Sequence, residues 1–467
     1  MPSQSDPSAD EASHEAWLKA AARSLKGADL GSLVTRTVEG VEVRPLYDAA
    51  PPGERLRTAV GWDIRASVRA SSPETANALA HEALGGGASS ILMQGAPAAA
   101  EGMARSLEDV VLEAAPVALD AGFAGPLAAE WLGQAAKGSP SALLALHLDP
   151  LRAFAEAGRS PGPIQAHVRG AAEVGAALAA TYPEASLFLA SGLAAHEAGG
   201  SPAQELGMMA SAAVAYVRAL GQAGVTSDGA MERIVLGLAV DGQVLVSIAK
   251  LRAARRIWAR IATAHGSAAP ARIEARSSRR MLTAIDPWTN LLRLTVAGFA
   301  GVVGGADAMV LGAYTDALGA LDERARRLAR NTQLILAEEA HLGRASDAMA
   351  GSWAIEALTD QLARQGWSCF QSIEQQGGLA EALMGGGLAA EVARVRDARD
   401  EAVDGGSLPI LGVTLYPEPE PLPIDVEPEV EVTWRDGRLP GPDSRCAPLR
   451  PVRISAQAEQ PAQDLGP

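Results

Sequence analysis

Between residues 60 and 312 short apolar or β-branched runs recur with helix-like stretches between them, and this alternation restricts the fold more than any other property of the chain. The runs fall at 62–68, 89–94, 116–120, 142–147, 164–168, 185–190, 233–237, 271–275 and 307–312. The stretches between and after them, 73–85, 101–113, 126–136, 171–181, 203–223, 244–263, 288–302 and 321–340, are rich in Ala, Leu, Glu and Arg. A strand that follows a helical crossover lies parallel to the one before it, and this many βα units close a ring rather than leave an open sheet. The expectation is therefore an α/β chain, a (β/α)8 TIM barrel with an N-terminal helical arm and an extended C-terminal tail. Nine runs compete for eight places, so one of them is not a strand.

The flanks are of a different kind. Residues 1–14 are polar and unpatterned, and are expected to be disordered. From Glu15, the spacing of Trp17, Leu18, Ala21 and Leu25 predicts a short amphipathic helix that Gly27 can end. With the Pro, Gly and charged residues of 48–60 this makes an arm and linker over 15–60, ahead of a barrel over 61–415. Residues 416–467 begin as a Pro/Glu linker and end as a polar tail.

Lys plus Arg number 40 against 55 for Asp plus Glu, so 40 − 55 leaves −15, a sign that repels nucleic-acid phosphates and anionic lipid. No nucleic-acid or membrane partner is expected, no window is apolar enough to span a bilayer, and the acidic start has no export-signal pattern, so a cytoplasmic location is expected. Two cysteines, Cys369 and Cys446, and seven scattered histidines supply neither a disulfide framework nor a metal cage. No glycine motif of a nucleotide-binding loop occurs.

Two stretches carry charge in a pattern. On a helix, Lys250 to Ile261 aligns Leu251, Ala254, Trp258 and Ile261 as an apolar stripe, with Lys250, Arg252, Arg255, Arg256 and Arg260 expected as a solvated basic face. On a strand, Arg272, Glu274 and Arg276 share one side. Inside a barrel such charges persist only when paired, so they are expected to fill the lumen with ions.

Four segments carry a likeness to a known family: Lys250-Leu251-Arg252-Ala253-Ala254-Arg255-Arg256-Ile257-Trp258, Arg272-Ile273-Glu274-Ala275-Arg276-Ser277-Ser278, Asn331-Thr332-Gln333-Leu334-Ile335-Leu336-Ala337-Glu338-Glu339 and Gly351-Ser352-Trp353. In this order and spacing the chain resembles the barrel domain of the adenosylcobalamin-dependent acyl-CoA mutases, the methylmalonyl-CoA mutase family. Leu107-Glu108-Asp109 through Gly122 adds to the resemblance, as do arm residues Trp17-Leu18-Lys19, Leu25-Lys26-Gly27 and Pro45-Leu46-Tyr47. In the family such an arm embraces the other subunit.

The resemblance keeps the frame and loses the chemistry. Ser191-Gly192-Leu193-Ala194-Ala195-His196-Glu197-Ala198-Gly199 stands where the family has Ser-Gly-Tyr-His-Met-Gln-Glu-Ala-Gly. Leu193 and Ala194 replace the Tyr that helps part the cobalt–carbon bond and the His that bonds the migrating thioester carbonyl, and neither can donate a hydrogen bond. Glu274 replaces a His, Arg276 a Gln and Arg279 a Gly; Ser67 replaces a substrate-contacting Tyr. His147 stands for a Gln, and Ala157 for the Arg that holds the acyl carboxylate, with Arg159 nearby as a candidate substitute. No His follows His341, so the family's cobalt-ligating Asp-x-His-x-x-Gly motif is absent from this sequence.

The resemblance thus implies a small, non-catalytic subunit of a heterodimeric methylmalonyl-CoA mutase, with no catalytic, cofactor or metal residues of its own and no cobalamin-binding domain. Adenosylcobalamin and the interconversion of methylmalonyl-CoA and succinyl-CoA would belong to a catalytic large subunit. Two alternatives stand beside it: an acyl-CoA mutase of altered substrate range served by a separate cobalamin-binding chain, and a non-catalytic acyl-CoA-binding barrel.

Overall fold

In a computed structural model, residues 7–38, 40–47, 53–95, 99–319, 322–418, 424 and 437–459 are described. Eight parallel strands close a barrel: β1 Asp63–Arg69, β2 Ser90–Gln94, β3 Val117–Asp120, β4 Leu144–Leu148, β5 Ser186–Ser191, β6 Ile234–Val240, β7 Ile273–Ser277 and β8 Ala308–Val310. β8 pairs back onto β1, and helices surround the ring, so the expected (β/α)8 barrel is the fold.

The surplus run is 164–168. It opens the helix Ile164–Thr181, whose buried residues Ile164, His167, Ala171, Ala172 and Gly175 follow the helical period rather than the strand period of 2. Helix starts are written locally as a capping residue followed by proline. Ser72-Pro73, Asp149-Pro150 and Ser201-Pro202 each place the cap side chain on a backbone N–H of the first turn and the proline where no N–H is needed.

The basic helix departs from expectation. In Val244–Ala264, Lys250, Arg252 and Arg255 are buried, not solvated. Each meets acids from distant chain: Lys250 with Glu205 at 2.5 Å, Arg252 with Asp347 and with Glu356 at 2.6 Å, and Arg255 with Asp307 at 2.7 Å. Further along the chain Ile335 is half exposed while Leu336 is buried. Helix Glu323–Leu334 passes into a π turn at Ile335–Glu339, and the widened turn rotates the apolar face by about one residue.

The first helix is Pro7–Ser24, so residues 7–14, expected to be disordered, are helical, while 1–6 lie outside the described residues; a short hairpin then pairs Thr35–Arg36 with Glu42–Val43. No described side chain from Ser13 to Gly40 is buried. At the other end, residues 437–459 run as a strap along the βα loops. Backbone N–H groups of Leu439, Cys446, Leu449, Val452 and Ile454 donate to carbonyls of Pro161, Gly158, Ala155, Glu197 and Arg280 at 2.7–3.1 Å. None of the described helices is long and apolar enough to cross a membrane.

Candidate functional site

The βα loops of a barrel converge at the C-terminal ends of its strands, so the lumen and that mouth are the place to look for chemistry. Inward positions alternate along each strand. On β1 they are Asp63, Arg65, Ser67 and Arg69; on β7, Glu274 and Arg276.

These residues build a ladder of alternating charge. Arg65 donates to Asp63 at 2.7 Å and to Glu274 at 2.5 Å, and Arg276 donates to the other oxygen of Glu274 at 2.8 Å. Arg276 then donates to Asp120 at 2.6 Å, and Asp120 also pairs with Arg152. Asp63, Arg65, Glu274, Arg276, Asp120 and Arg152 thus run from the bottom of the barrel to its mouth with charges that sum to zero. Beside them Leu92, Ala118, Ala145 and Val310 form a small apolar layer.

The charges hold one another ionised. Burial alone would raise the Glu274 carboxyl, but Arg276, His147 and Arg65 outweigh it and hold it at about 2. Asp120 is likewise raised by burial and then brought far below the usual carboxylate range by Arg152 and Arg276. Arg152 was not singled out in the sequence. Its signal is the Asp149-Pro150 start, because the Asp149 carboxylate accepts from the Arg152 N–H and fixes the first turn beside Asp120.

His147 reaches the same place by an irregular route. The β4–β5 register shifts between Ala145 and Leu148, and His147 has a left-handed φ of 45°. Its ring is buried 3.7 Å from Glu274, neither nitrogen has a hydrogen-bond partner among the described residues, and burial lowers it to about 4, so it is neutral at pH 7.

The remaining sequence-derived positions separate. Leu193 and Ala194 are buried at the start of the short helix Leu193–Glu197 after β5, leaving the mouth without donors there. Ser67 lines a slot beside β1 instead of bonding into the ladder. Arg279 is exposed and directs its guanidinium to the Asp316 carbonyl. Ala157 is exposed at the end of helix Pro150–Ala157 and does not join the lumen. Arg159 pairs with Asp443 of the strap at 2.5 Å, so it does not replace the missing carboxylate-binding Arg. Arg272 precedes β7 and donates to the Glu232 carbonyl outside the lumen, unlike Glu274 and Arg276.

His196 lies in a separate network. Its Nε2 meets Ser278 Oγ at 2.8 Å and its Nδ1 meets Glu205 at 3.1 Å, a Ser-His-carboxylate order. The order is sealed: Ser278, His196 and Glu205 are all buried, and Glu205 also carries Lys250. Burial and then Arg280 lower His196 to about 4. A neutral ring locked between two partners, with no path to solvent, joins β7, the β5 loop and helix Pro202–Gln222 as a strut. Among the described residues, no group of three or more His, Cys, Asp or Glu could hold a metal ion.

The family model for methylmalonyl-CoA mutase matches residues 95–438. The methylmalonyl-CoA mutase small subunit of Streptomyces virginiae is 35% identical over 439 residues, covering 87% of this chain and 71% of that protein. The probable methylmalonyl-CoA mutase small subunit of Mycobacterium tuberculosis is 35% identical over 418 residues, covering 82% and 66%, and the small subunit from Propionibacterium freudenreichii is 31% identical over 420 residues, covering 83% and 64%. The chain spans about two thirds of the length of these relatives. Its closed eight-stranded barrel, the retained motif frame and a family match over most of the sequence lead to one conclusion: the chain belongs to the methylmalonyl-CoA mutase family.

Proposed function

We propose that this chain is the small, non-catalytic subunit of a heterodimeric methylmalonyl-CoA mutase. It supports a large subunit that binds adenosylcobalamin and carries the radical interconversion of methylmalonyl-CoA and succinyl-CoA. The observation that carries the proposal is the charge ladder: Glu274 and Arg276 stand where the family has contacts to substrate or cofactor, and here they bond to each other and to Arg65 and Asp120. Side chains so paired hold the positions from which contacts to an acyl chain would be made.

The mouth agrees with the lumen. Leu193 and Ala194 offer no hydrogen to a thioester carbonyl or to the cofactor. Three of the histidines are also unsuited to ligate cobalt. His196 has both ring nitrogens engaged, His147 is shut in the lumen against Glu274, and His167 bonds the Pro161 carbonyl. No step of the reaction is assigned to this chain. Its contribution is a surface, and the arm is the part most suited to a partner. Trp17, Leu18, Ala21 and Leu25 lie at helical spacing, none of them buried against the chain's own barrel.

We place the complex in the cytoplasm. The test is to recover the chain at its native level from its own cells and identify what accompanies it. A one-to-one partner carrying the Tyr-His pair and a cobalt-ligating His is the expected result. Recovery of the chain alone, or only with itself, sinks the proposal.

A further inference from the structure

Strand β1 pairs with β8 only at Asp63 and Ile64, and then continues to Arg69 without a strand on that side. Beyond the end of β8 the gap is bounded by the loop at Leu311–Asp316 and covered by helices Pro73–Gly85 and Glu323–Leu334. It encloses a cavity of about 60 Å³, lined among others by Ser67, Arg69, Glu82, Arg326, Arg330 and Gln333. At about 10–15 Å³ for each water, that is roughly four to six water positions, the bulk of a phosphate or a short carboxylate.

The walls are cationic in a chain whose net charge is −15. Arg326, Arg330 and Gln333 follow one another at i, i+4 and i+7, so one helix face presents all three to the slot. Across from them Glu82 faces both arginines. It accepts from Arg326 at 2.9 Å and lies 3.8 Å from Arg330. The Arg330 side chain is 10% exposed, and its Nε is buried without a hydrogen-bond partner among the described residues. Gln333 lines the same cavity and uses its carbonyl oxygen to accept from Trp62 Nε1 at 3.1 Å, which leaves the amide NH2 as its end able to donate to a ligand.

Gly86 lies directly against the Arg330 guanidinium. A Cβ there would collide with Arg330 Cζ and both of its nearer nitrogens, although the Gly86 φ of −89° is open to any residue. The glycine leaves room for the guanidinium where it now lies. Among the described residues this buried guanidinium has one distant, shared counter-charge, and its planar fork suits two oxygens of a single group.

We propose that the slot between β1 and the loop after β8 binds a small oxyanion, a carboxylate or a phosphate, through Arg330, Arg326 and the Gln333 amide. This goes beyond the subunit role and does not rest on it, since the slot lies beside the lumen and is complete within one chain.

The test is titration calorimetry of the full chain at low ionic strength with sodium phosphate and, separately, with succinate. Saturable one-to-one binding of either is expected, and which of the two binds identifies the class. Arg330→Gln weakens it about tenfold or more, and Gly86→Ala weakens it by displacing the guanidinium. Arg364→Gln, which changes an exposed arginine paired with Asp360 of its own helix, leaves it unchanged. Circular dichroism establishes that each variant is folded, and Gln333→Leu replaces any variant that is not. No saturable binding of either anion overturns the proposal, as does equal affinity in a folded Arg330→Gln chain.

Discussion

Arg65 on β1 and Glu274 on β7 meet at 2.5 Å in the middle of the barrel, with side chains 8% and 0% exposed. A charge in that position is stable only while its partner remains. Glu274→Gln, which leaves Arg65 and Arg276 short of a counter-charge, is expected to cost about 3–5 kcal/mol in denaturant unfolding. Replacing the central pair together, Glu274→Leu with Arg276→Met, leaves Asp63 with Arg65 and Asp120 with Arg152, so the double variant is expected to lose less than the single one. Equal losses would show that the ladder is not an energetic unit.

His147 predicts a pH dependence. Its folded value of about 4 lies below the ordinary 6.5. Above pH 6.5 the ring is neutral folded or unfolded, and contributes no slope. As pH falls from 6.5 to 4 the unfolded chain takes up a proton that the folded chain refuses, which removes stability by at most about 3 kcal/mol. His147→Asn keeps a residue tolerant of the left-handed backbone and removes the titration. Its stability is expected to fall less steeply than that of the parent chain between pH 6.5 and 4; matching slopes would place the ring elsewhere.

Restoring the lost donors is not expected to restore chemistry. In Leu193→Tyr with Ala194→His the mouth regains its hydrogen-bonding groups, yet the ladder still occupies the lumen. Assayed alone with adenosylcobalamin and methylmalonyl-CoA, this variant should form no succinyl-CoA. Turnover above background would favour an enzyme of altered substrate range.

The strap depends on close backbone approach. Gly162 has a φ of 111°, and a Cβ there would lie 2.6 Å from the Leu439 carbonyl oxygen. Gly162→Ala is expected to free residues 437–459, so that limited proteolysis cuts there at least tenfold faster while the barrel core stays resistant. An unchanged cleavage pattern would mean that Leu449 and Ser455, both buried, hold the strap by themselves.

The ring was legible because βα alternation is a local signal, and seven of the eight strands lie within about two residues of the apolar runs that announce them. The run at 164–168 misled because the alternation Ile164-Gln165-Ala166-His167-Val168 fits a strand, and five residues are too few to show the helical period. Long-range partners left no trace in spacing. Lys250, Arg252 and Arg255 form a basic face by periodicity, and nothing nearby announces that Glu205, Glu356 and Asp307 will enclose them. At the site, Glu274 and Arg276 were visible from alternation and Leu193 and Ala194 from the motif frame. Arg152, Asp120 and the bulge at His147 were not, because a mouth is assembled from loops whose approach no local pattern specifies.

The strap also orders events in time. Its bonds join Ala155, Gly158 and Pro161 to residues about 280 positions later, and its next attachments are to Glu197 and Arg280, in the loops after β5 and β7. The surface it follows is a composite of three βα units and does not exist until those units have come together. Contacts of such sequence separation form late, after the entropy of closing so long a loop has been met by the ring itself. Docking of 437–459 is therefore expected to follow closure of the ring, and the time at which its amides become protected would date the completed barrel.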